Sequence, residues 1–271
     1  MKYRNDLKYF IREKAIHELP QLVPISEFDK SIFTDKESVY EVIRVRNGKP
    51  LFLEEHLERL QHSMDLAFGD YQISIPALQA DVETLIEANG VVEGNLKIEL
   101  RKEQDKYVRL LYFIPHRYPT AAQYEKGVRM KLQFDERWLP NAKISNWSVR
   151  GKANRIIDES GVYETLLVNS RGYITEGSRS NFFLIQDDAL FSAPEDWILP
   201  GITRSKILEI CRKMGIPVYH RKIPYQDLKR YQAAFITGTS PGVLQVRRVE
   251  ETEFQINHPL YRKIKDAFQL Y

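Results

Sequence analysis

Two short runs in this chain alternate strictly between apolar and polar or charged side chains, and that period of two constrains the fold more than anything else in the sequence. Across residues 96–101, Leu96, Ile98 and Leu100 point one way while Lys97, Glu99 and Arg101 point the other. Across residues 128–134, Val128, Met130, Leu132 and Phe134 alternate with Arg129, Lys131 and Gln133. Successive side chains on a strand face opposite sides of its sheet, so each run predicts a strand with one apolar face. Residues 107–114 read as the antiparallel partner of the first run. Upstream, residues 42–46, then Asn47-Gly48, then Pro50-Leu51-Phe52 predict a hairpin, because Asn-Gly supplies the two positive φ angles of a tight type I′ turn. The period then lengthens: Leu53, Leu57, Leu60 and Met64 form an apolar stripe at helical spacing. Further strands are expected at 164–168, 181–185 and 233–237. Helices fit 203–214 and the C-terminal set Leu260, Ile264 and Phe268. Interleaved strands and helices with antiparallel pairing predict a two-domain α+β protein.

The stretch His116-Arg117-Tyr118-Pro119-Thr120-Ala121-Ala122-Gln123 follows neither period and contains proline, so 116–126 reads as a linker. It separates a small N-terminal domain, 1–115, from a larger C-terminal one, 127–271. A chain of 271 residues has room for both and for a sizeable core. Forty basic against 37 acidic residues leave +3, with the signs intermixed, so no nucleic-acid partner is expected. Cys211 is the only cysteine, which excludes an internal disulfide and a zinc site built on several thiolates; no metal is expected. Its neighbours Ile207, Leu208, Ile210 and Met214 make it a core residue. Met1-Lys2-Tyr3-Arg4-Asn5-Asp6 leads into no apolar stretch, and no run approaches the ~18 apolar residues of a membrane span. A soluble cytoplasmic protein, with no membrane partner, is the expectation.

Four segments carry chemistry. The first is Tyr40-Glu41-Val42-Ile43-Arg44-Val45-Arg46-Asn47-Gly48, continuing to His56-Leu57-Glu58-Arg59-Leu60. The second is Pro140-Asn141-Ala142-Lys143-Ile144-Ser145-Asn146, and the third Ile174-Thr175-Glu176-Gly177-Ser178-Arg179-Ser180-Asn181-Phe182. The fourth is Leu199-Pro200-Gly201-Ile202-Thr203-Arg204, echoed by Thr237-Gly238-Thr239-Ser240. Together they resemble the class IV aminotransferases, a family that includes branched-chain aminotransferase, D-amino acid aminotransferase and aminodeoxychorismate lyase. The resemblance runs from about Tyr40 to the C-terminal helix, in the family's order and close to its spacing. A piece such as Thr-Glu-Gly is unspecific alone; the ordered set is specific.

The resemblance implies fold type IV, the D-amino acid aminotransferase-like arrangement of a small N-terminal α+β domain and a larger C-terminal one with pyridoxal 5′-phosphate between them. It also implies a homodimer in which a loop of one subunit closes the other's site. Such a cofactor needs an amine for its aldehyde, an anion beside its ring nitrogen and donors around its phosphate. The resemblance makes Lys143 the Schiff-base lysine, which then serves as the base at the substrate's α-carbon. It makes Glu176 the partner of the ring nitrogen, since a carboxylate there favours the protonated ring. Arg59, in a His-Leu-x-Arg-Leu pattern, matches the phosphate-binding arginine, whose fork offers paired donors. Gly201, Ile202 and Thr203 lie where irregular chain enters a helix and its N–H groups can meet an anion. Thr203 fits an N-cap equally well. Thr239 and Ser240 are implied phosphate donors, and both also fit a plain turn before Pro241-Gly242. Leu199 matches the residue packed against the cofactor ring, and Tyr40 stands on the substrate side.

Several positions depart from the family. Asp35-Lys36-Glu37-Ser38 replaces a glycine-rich approach to the first motif. Trp147 stands where branched-chain enzymes carry a tyrosine near the cofactor's phenolic oxygen, and an indole donates but does not accept. Lys97 stands where those enzymes carry arginine and the lyase carries lysine; it reads either as a point charge for a substrate carboxylate or as a lysine on the polar face of a strand. Residues 102–106 hold no counterpart of the D-amino acid enzymes' Arg-x-His trap, although Tyr40-Glu41-Val42-Ile43-Arg44 looks most like those enzymes. Lys152, after Gly151, competes with Lys143 as the cofactor lysine. Lys143 precedes Tyr163 by 20 residues, which resembles the family spacing, whereas Lys152 precedes it by 11 and starts a helical pattern through Ala153, Ile156 and Ile157. The implied activity is pyridoxal-phosphate-dependent transamination between an amino acid, of branched-chain or broad specificity, and a 2-oxo acid. The alternatives are a lyase releasing 4-aminobenzoate and pyruvate, to which Lys97 points, and a non-catalytic binding protein of the same fold, to which Trp147 and the altered 35–38 segment point.

Overall fold

The computed structural model of the chain describes residues 7–13, 20–28, 37–69, 71–103, 106–116, 118–145 and 147–271, and of Glu103, Lys106 and Trp147 the backbone alone. The chain forms two units, Met1–Arg117 with Ala142–Ser145, and Tyr118–Asn141 with Asn146–Tyr271. In the first unit the described strands are β1 (Tyr9–Glu13), β2 (Gln21–Pro24), β3 (Ser38–Arg46), β4 (Lys49–Pro50), β5 (Gly94–Glu103) and β6 (Lys106–Ile114). They pair antiparallel throughout, in the order β2-β1-β6-β5-β3-β4. Asn47 and Gly48, at φ 53° and 73°, make the turn between β3 and β4. Few residues other than asparagine and glycine accept that pair of angles. Helix α1 (Leu53–Phe68) follows, and its stripe residues Leu57, Leu60 and Met64 are fully buried. Each such burial contributes about 1.5–3 kcal/mol relative to exposure. Helix α2 (Ile75–Asn89), which the hydrophobic stripe alone does not announce, buries Leu78, Val82 and Leu85 and ends on Gly90 in the left-handed region at φ 60°.

The register of β3 against β5 pairs Glu41 with Ile98 and Tyr40 with Glu99, so it sorts side chains between the two faces. The helix face carries Val39, Ile43, Leu96, Ile98 and Leu100, all buried. The opposite face carries Lys97, Glu99 and Arg101, and of these Glu99 and Arg101 are each only 2% exposed. Alternation establishes that the two faces differ, not that the polar one meets water. Here it carries an ion cluster beside the apolar group Phe10, Val23, Leu110 and Tyr112. The ring of Phe28 caps that group, 5.0 Å from Phe10 and 5.3 Å from Tyr112.

The second unit begins within the expected linker, and 116–126 is not irregular throughout. Its end forms helix α3 (Ala121–Lys126), started by a reciprocal capping box between Thr120 and Gln123. Gln245 Nε2 donates to the carbonyls of Tyr124 and Glu125, which binds this helix to the sheet. The remaining elements are β7 (Val128–Phe134), α4 (Trp147–Ser160), β8 (Glu164–Val168), β9 (Ile174–Gly177), β10 (Asn181–Gln186), β11 (Ala189–Ser192), α5 (Ile202–Met214), β12 (Val218–His220), β13 (Ala233–Gly238), β14 (Gly242–Val249), β15 (Thr252–Glu253) and α6 (Pro259–Phe268). The mixed sheet runs β12-β11-β10-β13-β14-β7-β8-β9, with parallel pairs at β11/β12, β14/β7 and β7/β8. Both faces are apolar. Phe182, Leu184, Ile236 and Leu244 face one core. Phe183, Ile185 and Phe235 face the other, under Ile207, Ile210 and Cys211 of α5 and Leu260 and Ile264 of α6. Burial pushes the Cys211 thiol up to about 11, as a core cysteine's should be. Among the described residues no helix is long and apolar enough to cross a membrane. Asp35, Lys36 and Asn146 lie outside the described residues, as does the side chain of Trp147.

Candidate active site

Residues Ala142–Ser145 leave the second unit's stretch of chain to join the first. They lie along β3: Tyr40 N–H donates to the Lys143 carbonyl at 3.0 Å, and Ser145 N–H to the Ser38 carbonyl at 2.9 Å. From α1, the Ser63 hydroxyl accepts the Lys143 N–H at 3.0 Å. The backbone of Lys143 is therefore bonded on both its N–H and its carbonyl. Its ammonium nitrogen sits 4.9 Å from the centroid of the Tyr40 ring, close enough for cation–π attraction. Lys152, its competitor, lies on α4 with a side chain 60% exposed and pairs with Asp135 at 2.9 Å.

Arg59 faces Glu41. Its Nε donates to Oε1 and its Nη2 to Oε2, both at 2.7 Å, with the side chains 7% and 0% exposed. Burial alone would raise the Glu41 pKa, but the charges of Arg59 and His56 outweigh it and hold the carboxyl well below the usual range. His56 Nδ1 lies 2.7 Å from Oε2 of the same carboxylate. Burial lowers the His56 pKa against the pull of Glu41, with Arg59 and Lys143 pushing the same way, so the ring is neutral near pH 7. An ionised carboxylate only accepts, which assigns the proton to Nδ1.

Tyr40 and Lys97 do come together, since the Lys97 ammonium lies 5.0 Å from the Tyr40 ring and 5.7 Å from that of Tyr112. Lys97 also donates to Glu99 Oε2 at 2.8 Å. Glu99 accepts the hydroxyls of Ser38 and Tyr112, each at 2.7 Å, and Arg101 Nε at 3.3 Å. Burial raises the Glu99 pKa, but Lys97 and these hydrogen bonds overcome it and hold the carboxyl below its ordinary value.

In the second unit, Glu176 is buried at the end of β9. Its Oε1 pairs with Arg137 Nε at 2.9 Å, and its Oε2 accepts from Asn181 Nδ2 at 3.1 Å and the Leu199 N–H at 3.2 Å. Asn181 Nδ2 also donates to the Leu199 carbonyl at 2.9 Å. Leu199 itself is half-buried rather than a core leucine. Gly201 approaches so closely that a Cβ there would collide with Asn181 Oδ1. Gly201, not Thr203, is the N-cap of α5; the first helical bond runs from Ser205 N–H to the Gly201 carbonyl at 2.8 Å. The N–H groups of Ile202, Thr203 and Arg204 precede that bond, at the end of a helix where the dipole favours an anion. Thr239 and Ser240 form the turn between β13 and β14. Next to them Thr237, 1% exposed, buries a hydroxyl with no hydrogen-bond partner, and its register opposite Asn181 puts it on the face that carries α5.

The sequence reading missed Glu41 as the partner of both Arg59 and His56, Glu99 as partner of Lys97, and Arg137, Asn181 and Thr237 around the second motif set. Glu41 did leave a signal. It interrupts the apolar series Val39, Ile43 and Val45 on one face of β3, and a carboxylate on a core face needs a cation.

The model for amino-transferase class IV matches residues 38–249. The chain belongs to the class IV aminotransferases. The aminotransferase is 27% identical to D-alanine aminotransferase of Bacillus licheniformis over 247 residues, covering 86% of this chain and 87% of that one. Its fold matches the branched-chain amino acid aminotransferase from Escherichia coli at a TM-score of 0.83 and 20% identity, covering 97% and 93% of the two chains. It also matches a putative 4-amino-4-deoxychorismate lyase of Legionella pneumophila at a TM-score of 0.79 and 24% identity, covering 90% and 94%. These two likenesses show the fold, which is fold type IV. As a family member, this enzyme depends on pyridoxal phosphate and moves an amino group between an amino acid and a 2-oxo acid. Its residues fit that cofactor: an amine, a buried carboxylate, a helix N-terminus and an unpartnered buried hydroxyl are what an aldehyde, a ring nitrogen and a phosphate require.

Proposed function

We propose that Lys143 is the catalytic lysine of this aminotransferase. The observation that supports it best is the excursion of Ala142–Ser145, four residues whose one titratable side chain is that of Lys143, laid along β3 by backbone hydrogen bonds. Glu176 would hold the ring nitrogen, and Arg59, the α5 N-terminus at Gly201, Ile202 and Thr203, and Thr239 and Ser240 the phosphate. Leu199 would lie against the ring, with Trp147 near it. When bound, the cofactor supplies a sink for the electrons left at the α-carbon and carries the amino group between half-reactions. Lys143 Nζ removes the α-proton of the amino acid and returns a proton to the α-carbon of the 2-oxo acid in the reverse sense. Glu176, fixed by Arg137, Asn181 and the Leu199 N–H, keeps its negative charge in one place throughout. Tyr40 lies under the amine and forms part of the substrate wall.

For substrate we propose an amino acid of branched-chain or broad specificity, in a cytoplasmic homodimer. The lyase reading drew on Lys97, and the pairing of that lysine with Glu99 gives it no support. Borohydride reduction of the holoenzyme followed by peptide mapping tests the assignment. A pyridoxyl group on Lys143, absent from Lys143→Ala and retained in Lys152→Ala, is expected; a group on Lys152 overturns it. Mixing holoenzyme with single amino acids, without acceptor, identifies the donor by the change in cofactor spectrum. Sedimentation tests the dimer.

A further inference from the structure

The first unit's ion cluster bears on which substrates the enzyme accepts. Lys97 and the Lys143 amine share one aromatic ring, at 5.0 and 4.9 Å from the Tyr40 centroid. A lysine so placed would ordinarily recruit a carboxylate. Here the chain supplies its own. Glu99 holds the Lys97 ammonium at 2.8 Å, and the faces of Tyr40 and Tyr112 attract the same charge. Glu99 is itself fixed from four directions, by Ser38, Tyr112, Lys97 and Arg101, at 2% exposure. Arg101 is equally buried, so the more accessible cation of the cluster is Lys97, whose side chain is 16% exposed. A second carboxylate arriving there would meet a cation already paired and would have to approach the Glu99 anion. Beside this wall lie Tyr112 and the apolar cluster of Phe10, Val23 and Leu110.

We infer that Glu99 is a specificity-determining residue: by occupying Lys97 it makes the wall beside Lys143 unreceptive to a second carboxylate, so that the enzyme uses amino acids and 2-oxo acids with one carboxylate and a neutral or apolar side chain. This rests on the proposal that Lys143 is the catalytic amine. The chemistry of the half-reaction is unchanged by it; only the choice of partners is set.

The test compares half-reaction rates of the holoenzyme with leucine, phenylalanine and alanine against glutamate and aspartate, and of the aminated enzyme with the corresponding 2-oxo acids. The parent should prefer monocarboxylic substrates by about 100-fold or more in kcat/KM, a discrimination within reach of charge complementarity. Glu99→Gln should raise the dicarboxylate-to-monocarboxylate ratio about tenfold, and Lys97→Met added to it should remove the gain. If Glu99→Gln fails to fold, Lys97→Met alone serves, because it leaves the Glu99 anion at the wall without its ammonium and should widen the preference for monocarboxylic substrates. A parent that takes glutamate as readily as leucine, a Glu99→Gln ratio that stays put, or a Lys97→Met that narrows the preference would each overturn the inference. Borohydride mapping in every variant keeps the two questions apart: an adduct away from Lys143 defeats the assignment of the amine, whatever the ratios show.

Discussion

Replacing Arg59 by alanine should do two separable things, because this side chain pairs with Glu41 and is proposed to hold the cofactor's phosphate as well. Its fork closes on Glu41 at 2.7 Å through both Nε and Nη2, with Glu41 fully buried. Removing the arginine leaves a buried carboxylate with a neutral histidine, and breaking a buried ion pair from one side costs about 3–5 kcal/mol. The proposed phosphate contact goes too, which is worth about 1.5–3 kcal/mol, or roughly ten- to 150-fold in cofactor affinity. Urea unfolding without cofactor reads the first loss, and titration of apoenzyme with pyridoxal phosphate reads the second. Saturating cofactor stabilises whatever binds it, so unfolding must be run at two cofactor concentrations to separate the terms. The double variant Arg59→Met with Glu41→Gln removes both charges at once. It should recover most of the lost stability and none of the lost affinity. Recovery of neither would mean that Glu41 is not the anion left behind. Full affinity in Arg59→Ala would confine the arginine to a structural role.

Three further outcomes follow from the same geometry. Stability should fall as pH drops below about 6.5, the ordinary histidine value, because the folded state resists charging His56 and the unfolded state binds more protons. The Glu41 contribution is fully present above the ordinary carboxylate value of 4.5 and is lost on acidification below it, so His56→Gln should flatten the upper part of an unfolding-versus-pH curve and leave the acid limb. Gly201→Ala should cost about 1–3 kcal/mol by displacing Asn181 from Glu176 and Leu199, seen as earlier chemical unfolding and weaker cofactor retention; a fully stable variant would show that the loop has room. Thr237→Val should leave the apoprotein at least as stable, since it removes an unpartnered hydroxyl at nearly constant shape, while raising the cofactor dissociation constant several-fold. Unchanged cofactor affinity would take Thr237 out of the phosphate site.

Local pattern made much of this fold legible. The Asn47-Gly48 turn, the α1 stripe and the strands at β7, β8 and β13 follow from residue periods that need only neighbours in sequence. What stayed hidden depends on partners far away. Alternation in β5 could not reveal that Ser38, Tyr112 and Arg101 hold Glu99 on its polar face. Thr203 looked like an N-cap because it is the first residue of the usual type, but the close approach of Gly201 to Asn181 starts the helix earlier. The edge contact of Ala142–Ser145 with β3 spans about a hundred residues of chain, beyond any local signal. The motif residues were readable only through resemblance, and their hydrogen-bond partners hardly at all.

Each face of the β3–β5 pair buries one carboxylate, and the two have unequal consequences for the bases they hold. Glu41 takes two of the five N–H donors of Arg59 and fixes its plane. A guanidinium is a planar fork, so a carboxylate that fixes its plane also fixes the directions of all its N–H donors. Glu99 takes hold of Lys97, and an ammonium is a compact charge with no second edge. The same device, a buried acid beside a base, therefore organises the arginine for an anion and withdraws the lysine from one. That asymmetry is why we propose Arg59 as a phosphate ligand and assign Lys97 to an ion-paired wall. It also says which exchange would matter: arginine in place of Lys97 would bring a fork to that wall, and with Glu99 still paired could again present donors to a substrate carboxylate.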